Sequence, residues 1–137
     1  MCIRDRDTNV IVRYLVQDDP QQAAQATRFI EQHCTDTSPC FINHITLCEL
    51  TWVLERCYDQ DRADLVIVIE HLLQVQQLEV MHPHIVWQAL KDYKQSNADF
   101  SDHLLARVNE AQGCEFTATF DKKAGIQPAF EMLKDLV

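Results

Sequence analysis

Glycine and proline are scarce, with only Gly113, Gly125 and four prolines among 137 residues. Long flexible linkers are therefore not expected, and the chain reads as one domain spanning residues 1–137. A glycine-rich phosphate loop is excluded, because two isolated glycines cannot build one. Long apolar runs are missing too, and none approaches the ~20 residues that a membrane helix requires. The N-terminal stretch carries no apolar signal region, which makes a cytoplasmic protein the expectation. Cations are outnumbered, 12 Lys and Arg against 21 Asp and Glu, for a formal net charge of −9. That excludes a surface attractive to polyanions everywhere and leaves room for a local basic patch. An acidic face also suits a basic protein partner. The cysteines, Cys2, Cys34, Cys40, Cys48, Cys57 and Cys114, contain no C-x-x-C pair. They read as reduced, mostly buried thiols, with Cys48 and Cys57 inside an apolar helical pattern.

What is present alternates between helical and extended patterns. Val10–Val16 fits a short helix after Asp7-Thr8-Asn9. Asp18-Asp19-Pro20 supplies a start signal for a helix over Gln21–His33, and Ser38-Pro39 stops it. Cys40-Phe41-Ile42 is a strand candidate. Over Ile45–Tyr58, the spacing of Leu47, Leu50, Val53, Leu54 and Cys57 predicts an amphipathic helix. Asp61–Val75 reads as a further helix, Leu78–Met81 as a strand, and Pro83–Gln95 as a helix. Phe100–Ala111 is another, with Gly113 as its end signal. Phe116–Phe120 is rich in β-formers, and Asp121 follows it. Short strands between helices imply an α/β fold with a parallel sheet.

In such sheets ligands bind beyond the carboxyl ends of the strands. Asp7 precedes a helix, Asp121 follows a strand, Asp102 sits in the first turn of a helix, and Glu49 has a helix position that permits it to face inward. Clustered carboxylates repel one another and are relieved by hard cations. Magnesium or manganese held this way could place water in line with a phosphodiester, with one carboxylate helping to remove its proton. Spacing alone selects these residues weakly from 21 acids.

The flanking residues select them better. Asp7-Thr8-Asn9-Val10-Ile11-Val12-Arg13-Tyr14-Leu15 resembles the opening of a PIN domain of the VapC-toxin type. Asn43 through Leu54 resembles the segment that carries that family's glutamate, here Glu49. Ala98 through Ala106 resembles its D-F-x-D-x-L-I-A segment, giving Asp102. Thr117 through Lys123 resembles its T-F-D strand end, giving Asp121. The segments occur in order over nearly the whole chain. The resemblance implies an α/β/α sandwich, a short central parallel sheet surrounded by helices. It implies a Mg2+- or Mn2+-dependent ribonuclease, the toxin of a type II toxin–antitoxin pair, blocked by a cognate antitoxin. Asp7, Glu49, Asp102 and Asp121 would be the catalytic metal ligands, with Asp99 a possible fifth. Asn9 and Thr119 would orient them, and Arg13, Lys122 and Lys123 would contact RNA phosphates. The leader departs from the family: Met1-Cys2-Ile3-Arg4-Asp5-Arg6 stands where a short apolar strand is usual, and charges there do not suit a buried strand.

Blander readings exist for most of these residues. Asp99 and Asp102 have the spacing of a capping box. Asp121 could be a plain turn residue, Glu49 an exposed helix carboxylate, and the three cations solvated. His82 and His84 read as solvated, His103 as a surface helix residue, and His44 as part of a cap. Trp52 and Trp87 read as core or interface anchors. The number of apolar and aromatic helix residues leads to the expectation of a homodimer. The rival function is a non-catalytic PIN-like module that binds RNA or protein. An acidic-site phosphatase lacks the expected D-x-D nucleophile arrangement, although Asp5-Arg6-Asp7 approaches it.

Overall fold

The helix that follows Asp18-Asp19-Pro20 starts for the reason its sequence suggests. Asp19 Oδ1 accepts the backbone N–H groups of Gln21 and Gln22, each at 3.1 Å. Pro20, which has no N–H to leave unsatisfied, takes the first helical position. This helix, α2 (Pro20–His33), packs against α1 (Asp5–Val16). A computed structural model describes the backbone from Asp5 to Leu136 and the side chains from Val10 to Leu136. Residues 1–4 of the unusual leader and the side chains of Asp7 and Asn9 lie outside the described residues. The helix α1 begins at Asp5, so Asp7 is on it rather than ahead of it.

The chain divides into two compact units, Met1–Pro83 and His84–Val137. In the first unit, α2 leads to β1 (Cys40–Ile42), then α3 (His44–Cys57), α4 (Arg62–Gln74) and β2 (Leu78–Val80). Both strands are too short to stand alone, so helices supply most of the buried surface. Ile11 and Val12 of α1, Leu47, Leu50 and Leu54 of α3, and Ile69 and Leu72 of α4 are buried. Each such side chain contributes about 1.5–3 kcal/mol by leaving water. The strands pair in parallel, Cys40 opposite Leu78 and Ile42 opposite Val80. Asn43 caps α3 through its Oδ1, which accepts the Thr46 N–H at 2.8 Å. Asp61 and Asp64 form a reciprocal capping box at the start of α4.

The second unit holds α5 (Pro83–Lys94, its first residue aside), α6 (Phe100–Ala111), β3 (Thr117–Thr119), α7 (Lys122–Gly125), β4 (Phe130–Met132) and α8 (Leu133–Leu136). Gly113 has φ +91° just past α6, and its N–H reaches Glu110 O at 2.9 Å, as the end-signal reading requires. The elements β4, α7 and α8 carry no pattern that announces them. β4 is fixed by pairing with β3 in parallel, Thr117 opposite Phe130 and Thr119 opposite Met132. Phe130 is buried with Ala106 and Ala124, which ties β4 to α6 and α7. The α/β/α class of fold is as expected. Among the described residues, however, the strands form two separate two-stranded parallel sheets, one in each unit, rather than one central sheet.

The thiol expectation is corrected. Cys34 and Cys40 are joined by a disulfide and are 1% and 0% exposed. Cys34 ends α2 and Cys40 begins β1, so the turn through Ser38-Pro39 brings the two together. Cys48 is half-buried, and Cys57 and Cys114 are exposed, not buried; Cys57 sits where the apolar face of α3 has run out. Trp52 and Trp87 are each 40% exposed and therefore are not core residues. Closing a loop of sequence separation 6 stabilises a folded domain by about 2 kcal/mol. The double substitution Cys34→Ser/Cys40→Ser is expected to lower unfolding free energy by about that amount in urea titrations. Adding a reductant to the unsubstituted protein should produce the same loss, and should leave the double variant unchanged.

Candidate active site

The acids of the second unit gather around the start of α6. Asp99 is the N-cap residue, and its side chain makes no capping hydrogen bond. Asp102 sits three residues on, with its backbone N–H on Asp99 O at 3.1 Å. Only the reciprocal half of a capping box is present, the Asp99 backbone bonding to the Asp102 carboxylate. Asp102 is half-buried, and that burial pushes its carboxyl above the usual carboxylate range. The negative charges of Asp99 and Asp121 push it further in the same direction. Asp121, past the end of β3, caps α7. Its Oδ1 accepts the N–H groups of Lys123 at 2.8 Å and Ala124 at 2.9 Å. Thr119 Oγ1 accepts the Asp121 N–H at 3.0 Å, so the expected orienting contact is made through the backbone.

The loop that delivers Asp99 is held by a residue read from the sequence as a surface histidine. His103 is in fact 3% exposed. Its Nε2 is hydrogen-bonded to Ser96 Oγ, which also accepts the Ala98 N–H at 3.2 Å. The Tyr93 ring stands edge-on to it at 6.4 Å. A polar ring so buried needs its partner, and the partner here shapes the turn from α5 into α6. Nothing in the local pattern pairs Ser96 with His103; the signal is only that both sit beside the acid segment. Behind them Arg107 grips Asp92 through two bonds of 2.7 and 3.0 Å, joining α6 to α5.

In the first unit, Glu49 lies on α3 five residues after His44. The buried side of that helix is made by Thr46, Leu47, Leu50, Thr51 and Leu54. Glu49 is half-buried at the border of that face, three residues from Thr46 and one from Leu50. The start of α3 is pinned to β2. Met81 N–H donates to Ile42 O at 2.8 Å, and His44 Nε2 donates to Met81 O at 2.6 Å. Burial first, and the neighbouring His82 second, hold the His44 imidazole below its usual range. His82 and His84 are exposed, as their solvated reading has it. Arg13 is engaged, with NH1 2.8 Å from Asp18 Oδ1 and 3.0 Å from Tyr58 OH. Lys122 and Lys123 are exposed beside Asp121.

Hard oxygen donors that repel one another are the donor set a divalent cation suits, and Asp99, Asp102 and Asp121 fit that chemistry. Among the described residues no three His, Cys, Asp or Glu side chains stand close enough to hold an ion by themselves. A cavity of about 540 Å³ in the second unit is not this site. It opens beside Thr117, Phe116, Arg107 and Asp92, near the start of β3 rather than the end that carries Asp121.

An acid-bearing strand end, an acid-bearing helix start and parallel strands flanked by helices define a PIN-type nuclease fold. Residues 6–126 match the PIN domain family, and the chain belongs to it. PIN domains are generally nucleases. No curated protein and no solved structure was found to match the chain. Among the described residues no helix is long and apolar enough to cross a membrane.

Replacing His103 by Phe or Ser96 by Ala is expected to cost about 1 kcal/mol or more each in urea unfolding, because either removes the bond between the buried ring and the turn. The double variant should cost less than the sum, since both then go together. His44 gives a pH signature. Its folded pKa lies below the ordinary histidine value of about 6.5, so the stability tied to its neutral form is complete above that value. It is lost as pH falls through about 6.5 toward the folded pKa. Urea midpoints measured from about pH 7.5 down to about 5 should fall more steeply for the wild type than for His44→Gln.

Proposed function

We propose that this chain is a magnesium- or manganese-dependent endoribonuclease that hydrolyses RNA phosphodiester bonds, and that it is the toxin half of a type II toxin–antitoxin pair. The observation that carries the reading is the crowding at Asp102 within a PIN domain: a half-buried carboxylate beside Asp99 and Asp121. Such an arrangement is costly without a cation, and favourable with one.

Asp7, Glu49, Asp102 and Asp121 would hold the ion, with Asp99 available as a further oxygen donor. A divalent cation there would supply charge to offset what builds on the phosphoryl group. This chain's own groups would do the rest. One carboxylate would take the proton from the attacking water. Thr119 would fix the Asp121 backbone and Asn9 would support Asp7. Lys122 and Lys123, beside the acids, would take phosphates, whereas Arg13 is already committed to Asp18 and Tyr58. The partners are RNA, a cognate antitoxin whose basic segment suits a chain of net charge −9, and a second copy. Support for a homodimer comes from Ile45, 67% exposed, and Trp52, 40% exposed, on one stripe of α3. The proposed setting is the cytoplasm, where a disulfide such as Cys34–Cys40 forms only under oxidising conditions. The alternative, a PIN module that binds RNA or protein without cutting, takes its support from the charged leader Arg4-Asp5-Arg6 before Asp7.

The test is cleavage of single-stranded RNA with added Mg2+ or Mn2+. Activity should vanish with a chelator and return with either ion. Asp102→Asn should lower the rate on the order of 100-fold or more while leaving the fold intact. Equal cleavage by Asp102→Asn and wild type, or cleavage indifferent to chelator, would overturn the assignment.

A further inference from the structure

The turn after β3 carries a side chain that the metal chemistry does not use. Phe120 is 82% exposed, immediately before Asp121, and Lys122 and Lys123 are exposed immediately after it. Scattered exposed apolar residues need no explanation. Phe120 differs by its place, because an aromatic ring, an acid and two cations occupy consecutive positions on one turn. That turn is fixed. Asp121 binds the N–H groups of Lys123 and Ala124, Thr119 Oγ1 binds Asp121 N, and Gly125 N–H reaches Asp121 O at 2.8 Å.

Strand alternation sets the direction. Thr117 and Thr119 are half-buried, and Thr117 Oγ1 receives Asn109 Nδ2 at 3.1 Å from α6. Ala118 and Phe120 are exposed, on the alternate positions. The small Ala118 leaves space for a flat group beside the Phe120 position. A ring in water next to cations offers what an unpaired base with its phosphate would seek: a π-face and positive charge.

We infer that Phe120 is a stacking platform for one unpaired base of single-stranded RNA, positioned so that the adjoining phosphate meets Lys122 and Lys123 beside Asp121. The inference rests on the ribonuclease reading and adds to it a residue that holds one base of a single-stranded substrate. In a duplex, every base is already stacked and its face is unavailable. Phe120 touches substrate without taking part in proton or metal chemistry, so its loss weakens binding first and turnover second.

The test uses the full chain and a short single-stranded RNA carrying 2-aminopurine, with binding measured in a chelator so that no cleavage occurs. Stacking on an aromatic side chain is worth about 1–3 kcal/mol per base, or roughly a 5- to 150-fold change in affinity. Phe120→Ala and Phe120→Leu should both lose affinity within that range, and the 2-aminopurine quenching on binding should be lost. Phe120→Trp should restore both. The same strand annealed to its complement should bind more weakly and respond to none of the three. Wild-type affinity and quenching in Phe120→Leu would overturn the inference, as would duplex RNA bound as well as single strands. If Phe120→Ala changes the oligomeric mass instead of the RNA affinity, the ring is a protein contact and the inference fails. Cleavage separates the two levels. If the wild type cuts RNA, Asp102→Asn does not, and Phe120→Ala binds RNA normally, only the stacking role falls. If the wild type neither binds nor cuts RNA, both readings fall.

Discussion

Burial first and like charge second weigh on Asp102 at the start of α6, and the surrounding contacts of the second unit have to accommodate that carboxylate. Asp102 is half-buried with Asp99 and Asp121 acting on it, and folding alone gains nothing from that placement. Something must therefore hold the backbone while the carboxylates repel. The Ser96–His103 bond closes the turn, the Arg107–Asp92 pair fastens α6 to α5, and Asn109 fastens α6 to β3. These are contacts behind the acids, made by groups that do not compete for a cation. The division of labour is typical of functional sites, where local strain in charge is carried by well-satisfied surroundings.

The first unit solves a related problem with fewer charges. Glu49, proposed above as an ion ligand, lies on a helix that otherwise buries an apolar face. The capping oxygen of Asn43 and the His44 bond to Met81 fix where α3 begins, and hence how far along it Glu49 lies. Strands of three residues would be weak anchors by themselves. Their value is directional: β1 and β2 run in parallel, so α3 starts from the same end at which both strands finish.

Much of this was legible in the sequence, and the exceptions share a cause. Periodicity located α3, α4, α5 and α6 to within a residue or so, because a half-buried helix repeats its apolar contacts locally. The order of the flanking segments pointed to the family that residues 6–126 match, where the spacing of the acids could not. The misses were all made by contacts between residues that no repeat connects. β4 exists because Phe130 packs on Ala106 and Ala124 and its backbone finds β3. His103 is buried because Ser96 is there to bond it. Cys34 and Cys40 meet because a helix end and a strand start converge across a proline turn. Trp52 and Trp87, read as core or interface anchors, are each 40% exposed, which removes the core half of that reading.

The way Asp121 caps its short helix has a consequence for which ion could sit there. Oδ1 already accepts two backbone N–H groups. Only Oδ2 is free of these bonds, so the residue is disposed to grip a cation with one oxygen and not two. Calcium, large and tolerant of many ligands, is commonly chelated by both oxygens of a carboxylate. Small octahedral ions accept single oxygens at fixed angles and keep water in their remaining positions. If an ion is held there as proposed, a hydrogen-bonding pattern that looks like ordinary helix capping would also act as a size filter, written in the denticity of one aspartate.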